Sequence, residues 1–289
     1  MVSNKLINST HNFRSAECRQ HLVLLGCGKM GTAMLRGWLQ QSEYFTCISV
    51  IEPAGMSDDF EAIDFIIWYV SLDAFIKKNR TSIDFVVLAV KPQIMANVLA
   101  PFSQIAIDDT VFLSIAAGLS YKWLKGHLGG NKQIVRAMPN IPASVGAGMT
   151  AVYMGNEIPP RKKEFCITLL EAVGEVIVLP DEKMMDAVTA LSGSGPAYVF
   201  LLAEAMQLAG TNLGLPDILS KKLARGTVFG AGTLLAQETA DSSILRENVT
   251  SKGGTTAAAL SVLMEKDSLA ELILKAMQRA EQRSRELGQ

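Results

Sequence analysis

Hydrophobic positions fall into two regimes along the chain. Up to about residue 180, short apolar runs rich in Val, Ile, Leu and Phe recur. They are His21–Gly26, Cys47–Ile51, Asp64–Val70, Asp84–Val90, Thr110–Ala116 and Gln133–Met138. None alternates strictly between apolar and polar, which is how strands buried on both faces of a parallel sheet read. Segments of helix length separate them, at Thr32–Gln41, Ser71–Asn79, Pro92–Ile105 and Ser120–Leu128. Two more strands, Gly146–Met154 and Glu175–Leu179, flank a helix at Arg161–Ala172. Strands alternating with helices predict an α/β fold with a doubly wound, mostly parallel sheet over residues 21–180.

After Pro180 only helical periodicity remains, so residues 181–289 are expected to form a separate all-α domain. The run Ala197–Gly210 is apolar nearly all round and should be buried on several sides. A helix from Pro216 to about Thr239 holds Gly226, Gly230 and Gly232, which suggests close helix–helix approach despite a cost of roughly 1 kcal/mol per glycine. The last helix, Ser268–Leu287, is amphipathic. Leu269, Leu272, Ile273, Ala276 and Ala280 lie on one side, and Glu271 pairs with Lys275 at i,i+4. So small a domain with such apolar helices is expected to complete its burial in a homodimer.

The bulk numbers narrow the class. The chain has 289 residues, 49% of them hydrophobic and 19% charged, so a filled core is expected and wholesale disorder is not. A net charge of −1 without a basic block argues against nucleic acid or an anionic membrane as the main partner. Cysteines 18, 27, 47 and 166 show neither metal spacing nor a disulfide framework and read as reduced thiols of a cytoplasmic protein. Residues 1–20 lack an apolar signal core and read as a loose extension. Ala190–Ala203 is too short to span a bilayer, and Ala137–Asn156 is interrupted by prolines and glycines, so a soluble protein with no membrane partner is expected.

Where the first strand meets the first helix stands Gly26-Cys27-Gly28-Lys29-Met30-Gly31. In a strand–turn–helix context this is a dinucleotide fingerprint, and the first domain is expected to be Rossmann-like. Gly26 permits the turn, Gly28 lets the backbone approach a pyrophosphate, and Gly31 lets helix pack on strand. Glu52 ends the second strand and is placed either to accept from both ribose hydroxyls or as an ordinary strand-end glutamate. In the first role it would repel a 2′-phosphate, so NADH should serve at least as well as NADPH. Two later strand ends face the same crevice. In Ala89-Val90-Lys91-Pro92, Lys91 can reach phosphate or ribose. In Ile115-Ala116-Ala117-Gly118, the small residues let a nicotinamide ring lie flat. Met138-Pro139-Asn140-Ile141-Pro142 is forced extended by its prolines and either walls that pocket or stiffens a connector.

A ketone reductase usually needs a proton donor. His11, His21 and His127 are poorly placed for that, and no G-x-x-G-x-G-x-x-x-K pattern follows Gly193-Ser194-Gly195 to supply the lysine of hydroxyacid dehydrogenases. A cyclic imine carries its own proton and needs chiefly positioning and a partner for nitrogen. The turn Asn248-Val249-Thr250-Ser251-Lys252-Gly253-Gly254-Thr255-Thr256 offers backbone N–H groups at a helix start, with hydroxyls beside them. No metal site is expected.

Gly26–Gly31, Ala89–Pro92, Ser114–Gly118, Met138–Pro142, Ala190–Tyr198 and Asn248–Thr256 occur in order, and together they resemble the pyrroline-5-carboxylate reductases over about residues 21–287. The resemblance implies that NADPH or NADH reduces the C=N bond of 1-pyrroline-5-carboxylate to L-proline, the last step of proline biosynthesis. It implies that Thr256 hydrogen-bonds the ring nitrogen, that Ser251, Gly253, Gly254 and Thr255 hold the carboxylate, and that Asn248 shapes the pocket. The cofactor set it implies is Gly26, Gly28, Lys29, Met30, Gly31, Glu52, Ala89, Val90, Lys91, Pro92, Ala116, Ala117, Met138 and Asn140. Members interlock their helical domains as homodimers, each active site lying between one subunit's nucleotide domain and its partner's helices, and some build larger rings of dimers. Two residues depart from the pattern. Lys252 stands where proline is usual, and Lys29 where asparagine is frequent. The alternatives are another imine or hydroxyacid oxidoreductase of the same layout, and a non-catalytic NAD(P)H-binding regulator that would leave the Gly-Gly-Thr-Thr turn without a role.

Overall fold

The β1 strand (Gln20–Leu25) sends Leu22 and Leu24 into one hydrophobic layer and Val23 and Leu25 into another. The same division recurs at β4 (Phe85–Leu88), where Phe85 and Val87 face the first layer and Val86 and Leu88 the second. Continuous apolar runs are thus the mark of a sheet covered on both sides, since successive side chains point to opposite faces. The computed structural model describes residues 19–56, 58–61, 63–79, 81–104, 109–129 and 133–288. The expected loose extension through residue 18, with His11 and Cys18, lies outside them, as does Ile105.

Six further strands complete the sheet: β2 (Phe45–Ile51), β3 (Ile66–Tyr69), β5 (Val111–Ser114), β6 (Gln133–Met138), β7 (Gly148–Met154) and β8 (Gly174–Val178). Their order is β3-β2-β1-β4-β5-β6-β7-β8. Every neighbouring pair is parallel except β6–β7. The chain winds outward from β1 in both directions, which opens a crevice at the carboxyl ends of β1, β2 and β4, where Leu25 pairs with Ile51 and Leu88.

Helices α1 (Lys29–Leu39) and α5 (Pro160–Glu171) cover one face. There Trp38 is fully buried and its indole N–H donates to the Leu169 carbonyl at 2.8 Å. Helices α2 (Leu72–Lys78), α3 (Met95–Leu99) and α4 (Tyr121–His127) cover the other. Ser71 and Ser120 cap α2 and α4, each accepting a backbone N–H at 3.1 Å. The single helix expected over Pro92–Ile105 is instead a 3-10 turn, the short α3 and a second 3-10 turn over Ala100–Gln104. Pro101 explains the break, because it can neither donate to the ladder nor fit against the preceding carbonyl.

The chain divides into two compact units, one running up to Gly193 and resuming at Arg283, the other spanning Ser194–Gln282. In the first, α6 (Met185–Val188) runs into a π-helical turn at Thr189–Gly193. The second holds α7 (Gly195–Asn212), α8 (Asp217–Gln237), α9 (Ser242–Asn248), α10 (Thr255–Leu263) and most of α11 (Ser268–Leu287). Helices α7 and α8 form a hairpin around a close contact, where a Cβ on Gly210 would stand 3.0 Å from Ser220 Oγ. No residue of α7 is buried, and Ser220 and Ala224 alone are buried in α8. The expectation that α7 is buried on several sides is therefore not met within one chain. Phe200 and Phe229 remain 64% and 77% exposed. Gly226, Gly230 and Gly232 likewise meet nothing within 4 Å, so the approach they would permit has no partner inside the protomer.

Candidate functional site

The glycine turn between β1 and α1 is built by exclusion. Gly26 has φ +92°, and a Cβ there would lie 2.8 Å from Val90 Cγ1 and 2.9 Å from the Ala89 carbonyl oxygen. A Cβ on Gly31 would collide with the Gly26 carbonyl. Gly28 has open space instead, with nothing within 4 Å of a Cβ position. Two glycines thus serve packing, while the third keeps the loop's outer side clear for a ligand to approach the backbone. Helix α1 begins directly after Gly28, three residues earlier than its periodicity indicates, with no side-chain cap and no acidic residue in its first turn. Among the described residues no hydrogen bond occupies its first N–H groups, on Lys29, Met30 and Gly31, which suits an anion.

The crevice beside this turn is a cavity of about 660 Å³, within the range of roughly 300–1,000 Å³ usual for small-molecule sites. Gly26, Gly28, Glu52, Ala89, Val90 and Lys91 line it together. Six of the expected cofactor residues therefore share one wall system. Glu52 also ties the loop down: Oε2 accepts the Cys27 N–H at 2.8 Å and Oε1 accepts that of Ala54 at 3.2 Å. Thr32 closes the turn from the helix side, donating Oγ1 to the Cys27 carbonyl at 3.0 Å. Burial pushes the Cys27 thiol above its ordinary range, so it is a packing group here and not a thiolate. Asp73 and Asn97 line the cavity as well and were not read from the sequence. The signal for Asp73 was available, since it opens the helix after β3, whose carboxyl end borders the same crevice.

The remaining expected cofactor residues lie outside this lining. Pro92 opens the 3-10 turn behind Lys91. Ala116 is nearly buried, its N–H donating to Ser114 Oγ at 3.3 Å, and Ala117 follows in the same turn. Asn140 has a different occupation. Its Oδ1 accepts the Met149 N–H at 2.9 Å, and its Nδ2 lies 3.3 Å from both the carbonyl and the hydroxyl oxygen of Ser192. The side chain pins the proline-flanked segment to β7 and to the π turn. Met138 reaches the same place, where its methyl group would clash with any side chain on Gly193.

In the helical unit, the turn before α10 takes the shape its composition requires. Gly253 has φ +73°, a left-handed conformation that glycine adopts without strain. The Gly254 N–H donates to the Ser251 carbonyl at 3.0 Å, and a side chain on Gly254 would collide with Ser251 Oγ. Thr250 Oγ1 is spent on the Arg246 carbonyl at 2.6 Å. Among the described residues no hydrogen bond occupies the hydroxyls of Ser251, Thr255 or Thr256, nor the N–H groups of Thr255 and Thr256. Asn248 ends α9 one turn earlier. The result is a compact donor array at the start of a nine-residue helix, suited to a small carboxylate.

Both described histidines have structural partners of their own. His21 is 3% exposed, and its ring contacts the Ser82 carbonyl at 2.9 Å and Ser49 Oγ at 3.0 Å. Burial lowers its pKa below the ordinary value. His127 stacks on Trp123 with ring centroids 3.7 Å apart. No cluster of three His, Cys, Asp or Glu residues is arranged to hold a metal among the described residues, and no described helix is long and apolar enough to cross a membrane.

Comparison with known proteins adds an independent line. Residues 182–287 match the family model "Pyrroline-5-carboxylate reductase dimerisation", and residues 21–118 match "NADP oxidoreductase coenzyme F420-dependent". The pyrroline-5-carboxylate reductase of Haemophilus influenzae is 37% identical over 271 residues, covering 92% of this chain and 97% of that protein. The Synechocystis enzyme of the same name is 38% identical over 268 residues, covering 92% and 98%. Among solved structures, a pyrroline-5-carboxylate reductase from Coxiella burnetii superposes with TM-score 0.82 at 32% identity, covering 93% of this chain and 99% of that one. The Plasmodium falciparum pyrroline carboxylate reductase with NADP bound gives 0.75 at 28%, covering 93% and 100%.

Proposed function

The chain belongs to the pyrroline-5-carboxylate reductase family, and from that premise we propose how its residues divide the work. It is an NAD(P)H-dependent oxidoreductase that reduces the C=N bond of 1-pyrroline-5-carboxylate to L-proline, and it forms a homodimer through its helical domain. When bound, NAD(P)H supplies the hydride that goes to the imine carbon. The observation that carries our division of labour is the pair of donor sets that no described residue bonds, one around Gly28 and the other around Gly254–Thr256.

In the nucleotide domain, proposed as residues 21–180, the N–H groups of Lys29, Met30 and Gly31 receive the pyrophosphate that Gly28 admits. Lys91 adds a cation to the same cavity. Glu52 and Asp73 place two carboxylates on the wall nearest β2 and β3. That pair favours ribose hydroxyls and disfavours a 2′-phosphate, so NADH serves at least as well as NADPH. Asn140 acts from behind this domain's wall, holding Met149 of β7 and Ser192 of the π turn in place.

In the helical domain, proposed as residues 181–289, Ser251, Gly253, Gly254 and Thr255 hold the substrate carboxylate and Asn248 flanks them. Thr256 donates its hydroxyl to the lone pair that develops on the ring nitrogen as hydride reaches the imine carbon. The imine brings the proton that becomes the amine hydrogen, so no general acid is required, in keeping with the structural duties of His21 and His127. Lys252 is exposed at the rim of the turn and adds a positive charge toward an incoming carboxylate. The three described cysteines are free, which suits a cytoplasmic enzyme. Larger rings of dimers fit the apolar surface left on the helices.

Oxidation of NADH with 1-pyrroline-5-carboxylate, set against 1-pyrroline without the carboxylate, tests this reading. A preference for the carboxylate of at least about a hundredfold in kcat/KM is expected from two or more charge-assisted hydrogen bonds. Equal turnover of the two imines would remove the carboxylate site.

A further inference from the structure

The turn after β5 is held from outside by the far end of the chain. Gly118 has φ +83°, and a Cβ there would lie 2.9 Å from both Leu287 Cβ and the Ser284 carbonyl oxygen. Gly288 faces it in return, for a Cβ on Gly288 would collide with the Gly118 carbonyl. Two backbones meet with no side chain between them. Gly118 therefore makes room for a helix end and not for a ligand, unlike Gly28.

That helix end is itself anchored. Ser284 is 2% exposed and donates Oγ to Asp186 Oδ1 at 2.6 Å, while Arg285 Nε lies 3.9 Å from Asp186 Oδ2. One helical turn before Asp186, Glu182 Oε1 accepts the Tyr121 N–H at 2.5 Å and the buried Arg136 Nη1 at 2.6 Å. The short segment Glu182–Asp186 thus grips both the residue that starts α4 and the last turn of α11 resting on Gly118. On its other side the turn is tied to the sheet, where the Ile115 N–H donates to the Leu88 carbonyl at 3.1 Å.

We propose that Ser284 and Asp186 are positioning residues for cofactor binding, acting through the last turn of α11 to fix the Ala116–Gly118 backbone against which the nicotinamide end of NAD(P)H rests. This rests on the assignment of Ala116 and Ala117 to the cofactor site made above. A turn of alanines and glycine has much backbone freedom to lose, and holding it before the ligand arrives removes that ordering cost from binding. The brace touches neither cofactor nor substrate, so it acts on affinity and not on the hydride step.

The test is the NADH dissociation constant by fluorescence, with steady-state kinetics, for the dimeric wild type, Ser284→Ala, Asp186→Asn and Ala117→Leu. Ser284→Ala should raise Kd and KM for NADH by about ten- to a hundredfold, the range of one lost charge-assisted hydrogen bond, with kcat at saturating NADH within about twofold. Asp186→Asn keeps an acceptor oxygen for Ser284 and should stay within about threefold of wild type. Ser284→Cys, nearly isosteric and a weaker donor, should fall between the two and serves if the alanine variant does not fold. Normal NADH binding by folded Ser284→Ala or Ser284→Cys, beside impaired Ala117→Leu, would overturn the brace alone. Normal binding by Ala117→Leu would overturn the assignment of the turn and the proposal with it.

Discussion

Glu52 accepts the backbone N–H of Cys27 at 2.8 Å, so the acidic residue at the end of β2 holds the middle of the glycine turn. The same carboxylate borders the cavity at the carboxyl ends of β1, β2 and β4, where we place the dinucleotide. One side chain thereby shapes the loop and presents negative charge where the adenosine ribose is expected. Replacing Glu52 with alanine should cut kcat/KM for NADH by about tenfold or more, as one charge-assisted bond and the loop's anchor are lost together. The loss for NADPH should be smaller, because removing a carboxylate relieves repulsion of its 2′-phosphate. Initial rates with both cofactors decide this, and an equal loss for both would remove the charge argument.

The glycines of the turn should separate by experiment. Gly28→Ala meets open space, so its thermal midpoint should stay near wild type while NADH affinity falls by about tenfold or more through obstruction of the pyrophosphate. Gly31→Ala drives a methyl group into the Gly26 carbonyl and should lower stability by roughly 1–3 kcal/mol as helix and strand part. Calorimetry and NADH titration on the two variants check the contrast.

His21 gives stability a pH dependence of definite sign. Burial lowers its pKa in the folded state, so the unfolded chain binds the proton more readily. Stability is then complete above the ordinary histidine value of about 6.5 and is lost as pH falls from there toward the folded value. Urea unfolding between pH 7.5 and 5 should show the midpoint falling more steeply in wild type than in His21→Gln. Parallel curves would assign the acid sensitivity elsewhere.

The exposed apolar faces of α7 and α8 should matter through association. Phe229, 77% exposed in the single chain, is a candidate for burial between protomers. Phe229→Asp should weaken the dimer by several kcal/mol and yield monomer at micromolar concentration in light scattering. A dimer of unchanged strength would place the interface on other helices.

Much of this architecture was legible in the sequence because its causes are local. Runs such as His21–Gly26 and Asp84–Val90 could be read as two-sided strands, and Gly26-x-Gly28-x-x-Gly31 could be placed at a strand–helix joint from order alone. Asn140 shows the limit. Its place in a proline-flanked segment suggested either a wall of the cofactor pocket or a stiff connector, and its amide joins Met149 to Ser192, the latter 52 residues further along the chain. Nothing local announces that pairing. Pro101 was visible and its consequence for the helix over 92–105 was missed, because the apolar spacing on either side of it stays helical. The exposure of α7 was hidden for another reason, since an all-apolar helix reads the same whether its cover comes from its own chain or from a second copy. Gly118 was read as part of a small-residue turn beside the cofactor, and its packing against Ser284, Leu287 and Gly288 was not, because those residues lie more than 160 positions further along the chain.

The central claim is that Thr256 donates to the lone pair developing on the ring nitrogen during hydride transfer while the imine supplies its own proton, and NADH oxidation with saturating 1-pyrroline-5-carboxylate tests it directly in wild type and Thr256→Ala. Loss of a hydrogen bond of ~1.5–3 kcal/mol that forms in the transition state should lower kcat roughly ten- to a hundredfold, with NADH affinity unchanged. A Thr256→Ala enzyme with wild-type kcat would contradict the account.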